Sequence, residues 1–239
     1  MIRATGWVAG WIAIAALCPG TWAQQAAPPA EAQKAAANDI RYDPPKRGAP
    51  KGRVGGGTRG LDSRELSLAV IAPNHPGLAS TPTPKLYWFL SKTIGASFEV
   101  SIVEDGVAEA IVDKSIPAPR EAGVQVLDLA ALGVTLKPDK EYRWLISLVS
   151  DPKARSGDIV ASGRVIYEPL TGDPKARVDN STGRARAVAF AAVGYWYDAY
   201  EAVRTLRLAN PADNLLRDME LQLVMQVGLN DVVRYLRAK

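Results

Sequence analysis

The stretch LKPDKEYRWLISLV, residues 136–149, decides the fold class of this chain. From Tyr142 onward its apolar residues occupy every second position, at Tyr142, Trp144, Ile146 and Leu148. An apolar period of two is typical of a strand that buries one face. The proline and charged residues before the tyrosine are typical of a turn. We therefore predict a turn that leads into a half-buried strand.

The spacing Leu-x-Pro-x-x-x-Tyr-x-Trp in this stretch resembles the corner that enters the sixth strand of immunoglobulin-like and fibronectin type III sandwiches. The resemblance implies that the Tyr142 hydroxyl bonds the backbone of the corner and that Leu136 closes the end of the core. It also implies a structural role for Trp144, which follows on the same strand.

Six other short apolar runs, bounded by glycine and proline, predict further strands. They cover residues 66–71, 85–90, 97–104, 111–116, 124–129 and 159–167. Because no helical period separates them, these strands indicate an antiparallel sandwich rather than a parallel sheet. We expect a β-sandwich of the immunoglobulin or fibronectin III type over residues 61–170.

Residues 1–23 have the features of a signal peptide. Arg3 supplies the positive charge, residues 7–17 form a short apolar core, and small residues lead to a cleavage site after Ala23. We expect a periplasmic or secreted protein with no membrane span after cleavage, because the apolar run is shorter than the ~20 residues that cross a bilayer. A lipoprotein anchor at Cys18 is the alternative, although a leucine precedes it where a small residue is required.

The excess positive charge lies in the residues that follow the signal. Residues 24–60 carry seven basic and three acidic residues, whereas residues 61–239 carry 21 and 22. The later part of the chain is therefore close to neutral, and we expect no nucleic-acid partner. Residues 24–60 are rich in Ala, Pro and Gly and poor in large apolar residues, which predicts a disordered basic linker.

Beyond a second predicted linker at residues 171–180, the apolar period becomes helical, and we predict three to four helices over residues 181–239. The pattern resembles a single tetratricopeptide repeat, with a glycine between two helices and a closing proline. The residues that carry this resemblance are Phe190, Gly194, Trp196, Ala199, Val203, Leu206 and Pro211. Because one repeat cannot bury its own apolar face, we expect the helices to pack on the sandwich, with a second copy or a partner as alternatives.

Four motifs, in order, resemble the bacterial exported family known as domain of unknown function 928. They are GGGTRG at 55–60, KLYWFL at 85–90, the Tyr-x-Trp hairpin that continues to Asp151-Pro-x-x-Arg155-Ser156, and Gly194-Tyr-Trp-Tyr-Asp198-Ala. The resemblance covers about residues 55–229. It implies export and brings no activity, since none is established for the family.

Few residues are candidates for catalysis. His75 is the only histidine, which excludes a multi-histidine metal centre and leaves one base for a serine triad. A structural histidine in an exposed turn is the preferred interpretation. Asp151 and Asp158 flank one predicted loop and could form a hydrolytic carboxylate pair or a calcium site. With Arg155 between them, a solvated ion cluster is the simpler interpretation, and we expect no cofactor.

We expect a non-catalytic module for protein interaction or envelope assembly, with a protein partner in the cell envelope. Its expected binding residues are Tyr197, Arg204 and Arg207 on a concave face of the helices, and Asp151, Arg155 and Asp158 in the loop. Trp196 and Pro211 have expected structural roles. The first alternative is a glycan- or polymer-binding sandwich, whose exposed Tyr87 or Trp88 would stack on polysaccharide rings. The second is a carboxylate-dependent hydrolase.

Overall fold

The computed structural model describes residues 39–46, 52–57 and 66–238. The predicted signal peptide at 1–23 and most of the predicted linker at 24–60 lie outside these residues. The described residues form nine strands, which are β1 (Gly56–Gly57), β2 (Ser67–Val70), β3 (Gly77–Ala79), β4 (Lys85–Leu90), β5 (Ser97–Glu104), β6 (Ala110–Ile116), β7 (Gly123–Asp128), β8 (Glu141–Val149) and β9 (Ile159–Tyr167).

Five helices follow the strands in the described part of the chain. They are α1 (Gly172–Asp179), α2 (Gly183–Ala192), α3 (Trp196–Ala209), α4 (Asn214–Gln226) and α5 (Asn230–Arg237). Strands followed by helices confirm the predicted β + α class. None of these described helices has the length and apolar character to cross a membrane.

The strands form two sheets, with the orders β1-β2-β4-β7 and β3-β9-β8-β5-β6. Their paired strands are antiparallel except β3 and β9, which run parallel. This corrects the prediction of purely antiparallel sheets. After β2 the chain leaves the first sheet through a proline-containing turn and joins the edge of the second, which sets the direction of β3. Strands β1 and β3 have only two and three residues, too few to show an apolar period.

Strand β8 is the middle strand of its sheet and confirms the turn and strand predicted for residues 136–149. Its alternate apolar residues, from Tyr142 to Leu148, are at most 2% exposed. The backbone N–H of Lys137 donates to the Tyr142 hydroxyl at 3.1 Å and closes the corner. Leu136, which precedes this corner, is also buried.

Strand β4 of the four-stranded sheet is covered on both of its faces. Successive side chains of β4 point to opposite faces, as in any strand. Trp88 packs against Phe98 of β5 at 5.5 Å between ring centroids, whereas Tyr87 packs against Tyr200 of α3 at 5.0 Å. The helices therefore pack on the sheets and share one buried cluster with them.

Helix α1 (Gly172–Asp179) lies within residues 171–180, where a linker was predicted, and so corrects that prediction. Its Val178 is fully buried, and Lys175 and Asp179 form an ion pair one turn apart. Pro174 lies in the first turn, where a missing backbone N–H leaves no helical hydrogen bond unmade. The Gly-Asp-Pro sequence resembles a linker, but burial of the valine stabilises a helix.

Candidate functional site

The residues predicted for the loop between β8 and β9 form an ion cluster. The guanidinium of Arg155 donates to the two carboxylate oxygens of Glu99 at 2.6 and 3.1 Å, and to Asp158 at 2.7 Å. The hydrogen bond from Arg155 lowers the pKa of Glu99. Asp151 accepts from the backbone N–H of Lys153 at 2.8 Å. These contacts hold the loop against β5.

The two aspartates of this loop have separate structural partners. Asp158 is paired with Arg155, whereas Asp151 is exposed and stabilises a turn of the loop backbone. Within residues 39–46, 52–57 and 66–238, no three His, Cys, Asp or Glu side chains are grouped so that they could hold a metal ion. The geometry favours the ion-cluster interpretation over a hydrolytic pair or a calcium site.

Tyr197 was predicted to line an exposed binding surface, but it is only 1% exposed. Its hydroxyl donates to the carbonyl of Arg164 at 2.8 Å and accepts from the indole N–H of Trp144 at 3.0 Å. Burial raises the pKa of this hydroxyl. The prediction is corrected because α3 packs on β3, at the edge of the second sheet, and the Tyr197 side chain reaches β8 and β9 of that sheet.

Arg204 and Arg207 were predicted on the same surface, but both pair with a buried carboxylate. Glu220 of α4 is fully buried and bonds both guanidinium groups, that of Arg204 at 3.3 Å. Glu220 also accepts a hydrogen bond from the Tyr200 hydroxyl at 2.8 Å. The prediction of a partner-binding face is corrected because this cluster joins α3 to α4 inside the molecule.

The aromatic side chains predicted for sugar stacking are also buried. Tyr87 is 6% exposed and Trp88 is 2% exposed. Strand β4 is covered on both faces, so neither ring offers a face to a sugar. The continuous apolar run LYWFL, with no polar alternation, was the signal that the sequence contained, because such runs are typical of strands buried on both faces.

An extended stretch at residues 39–46, which we call the N-terminal segment, lies in a groove where the helices meet the sheets. Its Ile40 and Tyr42 are 1% and 8% exposed, whereas Asp39, Arg41 and Asp43 are exposed. This alternation is that of a strand with one buried face. The groove, as we define it, is formed by His75, Ala191, Gly194, Trp196, Gln222 and Gln226.

Two glutamines of α4 bind the backbone of the N-terminal segment. The backbone N–H of Ile40 donates to Oε1 of Gln222 at 3.1 Å. Gln226 accepts from the backbone N–H of Tyr42 and donates to the carbonyl of Ile40, both at 2.8 Å. Residues four apart share a helix face, and each carboxamide has a donor and an acceptor. The pair therefore replaces the neighbouring strand that an extended backbone would otherwise need.

The end of α2 supplies the next contact. The backbone N–H of Asp43 donates to the carbonyl of Ala191 at 3.0 Å. Gly194 follows with a φ of 85°, and a Cβ there would lie 3.0 Å from the carbonyl oxygen of Asp43 and 3.4 Å from Cδ of Pro45. Only glycine combines this backbone conformation with so close an approach of the segment.

The side chain of Tyr42 fills an aromatic part of the groove. Its ring is parallel to that of His75, with centroids 5.8 Å apart, and meets Trp196 edge-on at 5.1 Å. Burial raises the pKa of its hydroxyl. The imidazole Nδ1 lies 3.0 Å from the carbonyl of Pro76 and Nε2 lies 3.4 Å from the tyrosine hydroxyl, which assigns the proton to Nδ1. The histidine thus supports Tyr42 rather than standing in an exposed turn.

An open cavity of about 500 Å³ lies beside the N-terminal segment. Tyr42 and Pro44 of the segment line it, together with Asn74 and His75 of the turn and Met225 of α4. The methionine is 48% exposed. The groove therefore has room beside the side chains that occupy it.

The prediction of a disordered linker at residues 24–60 is wrong for the part of it that the structure describes. Burial of Ile40 and Tyr42 stabilises the N-terminal segment, and these are two of the few large apolar residues in the predicted linker. Their alternation before Pro44 and Pro45, which favour extended backbone, was the signal that the sequence contained.

A second anchor holds the chain just after the N-terminal segment. The guanidinium of Arg53 donates to the carbonyl of Ala72 at 2.7 Å and to that of Val227 at 3.0 Å. Val54 then pairs with Ser162 of β9 through two backbone hydrogen bonds, at 2.9 and 3.1 Å. These contacts fix the chain next to the end of α4.

The fold and groove define a two-sheet β + α protein that carries an extended segment of its own chain on its helices. The chain belongs to the family described as Domain of Unknown Function (DUF928), which matches residues 54–235. The N-terminal segment lies before the matched residues. No curated protein matches the chain.

Two solved structures are distantly similar. Astrotactin-2, described as a conserved vertebrate-specific and perforin-like membrane protein involved in neuronal development, matches at 9% identity with a TM-score of 0.28. That match covers 73% of this chain and 36% of the other, so this chain spans about a third of it. A multi-domain immunophilin from Arabidopsis thaliana matches at 9% identity with a TM-score of 0.18, covering 80% and 98% of the two chains. Such TM-scores support no conclusion about fold or function.

Proposed function

We propose that this protein is an exported, non-catalytic protein-interaction or envelope-assembly module that binds extended polypeptide in the groove. One observation carries the proposal: the groove already holds an extended polypeptide, the N-terminal segment. Four of its hydrogen bonds with the groove use main-chain groups of the segment: three backbone N–H groups donate to Gln222, Gln226 and Ala191, and the carbonyl of Ile40 accepts from Gln226. Because every polypeptide carries these main-chain groups, such a groove accepts any chain whose side chains fit.

The side-chain requirement of the groove follows from its two buried positions. Ile40 and Tyr42 point inward with one exposed residue between them. An aliphatic residue followed two positions later by an aromatic one therefore defines the ligand class. The prolines at 44 and 45 keep the following backbone extended, which lowers the entropy lost on binding.

The proposal includes an immunoglobulin- or fibronectin III-like sandwich as the support and a tetratricopeptide-like unit as the binding part. The hydrogen bond from Lys137 to Tyr142 supports the first assignment, since it is the one the sandwich corner requires. Gly194 between α2 and α3, with Pro211 after α3, supports the second. Helical repeats of this kind present concave surfaces to their partners.

The proposal also places the protein in the periplasm or outside the cell, with a protein partner in the envelope. The basis is the sequence of residues 1–23, with cleavage after Ala23. Mass spectrometry of the protein from its native host should find a chain that begins at Gln24. An intact start at Met1 would contradict export by this signal.

A peptide titration tests the binding function. The full-length chain with Ile40→Ala and Tyr42→Ala, which we call the segment variant, leaves the groove free while keeping its walls. A fluorescent peptide with the sequence of residues 38–46 should bind this variant saturably in an anisotropy assay. A peptide with alanine in place of the isoleucine and tyrosine is the matched control and should bind at least tenfold more weakly.

The wall of the groove is tested by adding Gln222→Ala and Gln226→Ala to the segment variant. Loss of three main-chain hydrogen bonds, each worth about 1 kcal/mol, should weaken peptide binding by tenfold or more. Circular dichroism and urea unfolding establish that both proteins are folded. Absence of saturable binding to the folded segment variant, or equal affinity with and without the glutamines, would overturn the proposal.

A further inference from the structure

We propose that the partner of the groove is a second copy of this chain, and that two copies exchange their N-terminal segments to form a closed dimer. This inference rests on the proposed function, because it requires that the groove accept a polypeptide from another molecule. It names the occupant: residues 39–46 of the neighbouring copy. These are the residues whose fit to the groove the structure shows directly.

The contacts that hold the N-terminal segment can be made equally well within one copy or between two. All of them join the segment to the groove, which consists of residues 75, 191, 194, 196, 222 and 226. Reciprocal exchange therefore breaks and remakes the same hydrogen bonds and aromatic contacts. Such an exchange is a low-cost route to a dimer, because only the loss of free motion on association opposes it.

The length of the connection sets the geometry of the dimer. Arg53 anchors the chain at Val227, immediately after the helix that carries Gln222 and Gln226. Six peptide units join Lys46 to Gly52, and an extended chain of this length spans about 20 Å at most. The segment can thus reach a second groove only if the two grooves face each other at close range. If each segment enters the groove of the other copy over the same distance, the two copies are related by a two-fold axis.

The surface beside the groove fits a facing copy. The cavity of about 500 Å³ adjoins the segment and is lined by Pro44, Pro73, Met225 and Val227 among others. The exposed edge of the segment carries Asp39, Arg41 and Asp43, so an antiparallel register that places Arg41 of one copy opposite Asp39 or Asp43 of the other would bring opposite charges together. An apolar cavity with mixed charges at its edge is the usual composition of an interface between copies.

Complementation between two full-length variants tests the exchange. The segment variant has a free groove and no functional segment. The groove variant, Gln222→Ala with Gln226→Ala, keeps its segment but has a weakened groove. Because Gln226 is exposed and Gln222 half-buried, the groove variant should fold like the wild type. Native mass spectrometry of an equimolar mixture should show a mixed dimer, whereas the segment variant alone should be a monomer.

The wild-type chain gives an independent readout that depends on neither variant. It should form dimers in increasing proportion as its concentration rises, and an excess of the peptide with residues 38–46 should convert them to monomers. Dimers that the peptide leaves intact, or a mixture that stays monomeric, would overturn the inference. If the peptide still binds the segment variant in that case, the groove binds polypeptide but not a second copy. If the peptide does not bind, the proposed function itself fails.

Discussion

The side-chain oxygen of Gln226 lies 2.8 Å from the backbone nitrogen of Tyr42, a residue 184 positions earlier in the chain. The nitrogen of the same carboxamide lies 2.8 Å from the carbonyl oxygen of Ile40. One side chain thus pairs a donor and an acceptor of an extended backbone, in the way a neighbouring β-strand does. Gln226 therefore recognises the extended backbone of the bound chain, and the side chains of that chain add a second requirement.

Replacing Gln226 with alanine should release the backbone of the N-terminal segment locally. The amide of Tyr42 loses its acceptor, and a loss of about 1.4 kcal/mol corresponds to a tenfold change in local opening. We expect this amide to exchange with solvent deuterium at least ten times faster. Hydrogen exchange followed by NMR measures this rate directly.

Gln125→Ala is the matched control, because its carboxamide bonds only the nearby carbonyls of Glu121 and Gly123 among the described residues. Exchange at Tyr42 should be unchanged in this variant. Equal protection of Tyr42 in the Gln226→Ala protein and the wild type would show that the glutamine does not hold the segment.

Gly194→Ala should displace the N-terminal segment from the turn between α2 and α3. The new Cβ would lie 3.0 Å from the carbonyl oxygen of Asp43, tighter than nearly all such contacts, so the segment must shift, and the positive φ adds backbone strain. The backbone on both sides of Arg41 should then leave the groove more often, and limited trypsin digestion should cut after Arg41 faster than in the wild type.

Gly133→Ala is the control variant, because it introduces backbone strain at a positive φ without a steric clash. Gly133 has a φ of 72°, and beyond its own chain neighbours no described atom would lie within 4 Å of a Cβ at this position. This variant should lose about 1 kcal/mol of stability without faster cleavage after Arg41. Equal rates of cleavage in the two variants would contradict the proposed contact between Gly194 and the segment.

Much of the strand arrangement follows from local sequence, whereas the groove does not. The period of β8 and the spacing of Leu136, Tyr142 and Trp144 are local patterns, and the structure shows all three residues buried around the predicted corner. Burial of Tyr197 and the pairing of Arg204 depend on which helix packs where. That information lies in contacts between residues far apart in the chain, so the sequence pattern could not supply it.

The order of the N-terminal segment could not be predicted from its local composition either. A stretch with two large apolar residues cannot form a core of its own, and composition alone therefore predicts disorder. Ile40 and Tyr42 are ordered because the helices provide the surface that covers them. Composition describes what a segment can bury by itself, and not what the rest of the chain offers it.

The buried Glu220 should be essential for the stability of the helices. Glu220→Ala leaves the guanidinium groups of Arg204 and Arg207 without their shared carboxylate, and the Tyr200 hydroxyl without its acceptor. Breaking a buried ion pair from one side costs about 3–5 kcal/mol. Urea denaturation should show a loss of this size in the free energy of unfolding.

Glu201→Ala provides the comparison, because Glu201 pairs with Lys85 at 2.8 Å near the surface. Exposed pairs contribute about 0–1 kcal/mol, so this variant should remain close to the wild type. If both substitutions reduced stability by the same amount, the buried cluster would have no special role.

Asp198 should make stability depend on pH. Its carboxylate accepts two hydrogen bonds from Ser80, one from the hydroxyl and one from the backbone N–H of Ser80 at 2.8 Å. Burial raises the pKa of Asp198 to about 6 from 3.8, although the bonds from Ser80 oppose the rise. The folded state therefore binds more protons between about pH 4 and pH 6. The protonated Asp198 side chain therefore contributes its full stabilisation below its pKa in the unfolded chain, and this contribution is lost as the pH rises through 6.

Asp198→Asn removes this titration. Between about pH 3.5 and pH 7 the wild type should lose stability relative to this variant, on the order of 2 kcal/mol after allowance for partial exposure. Urea denaturation across this range measures the difference. A constant difference between the two proteins at all pH values would rule out a raised pKa at Asp198.

The side-chain amide resonance of Gln226 gives the most direct test of polypeptide binding in the groove. The segment variant is labelled with ¹⁵N and titrated with the unlabelled peptide of residues 38–46. We predict that the Gln226 side-chain signal moves from its free position to its position in the wild-type protein as the peptide saturates. A signal that stays in its free position at saturating peptide would show that the groove does not bind extended polypeptide.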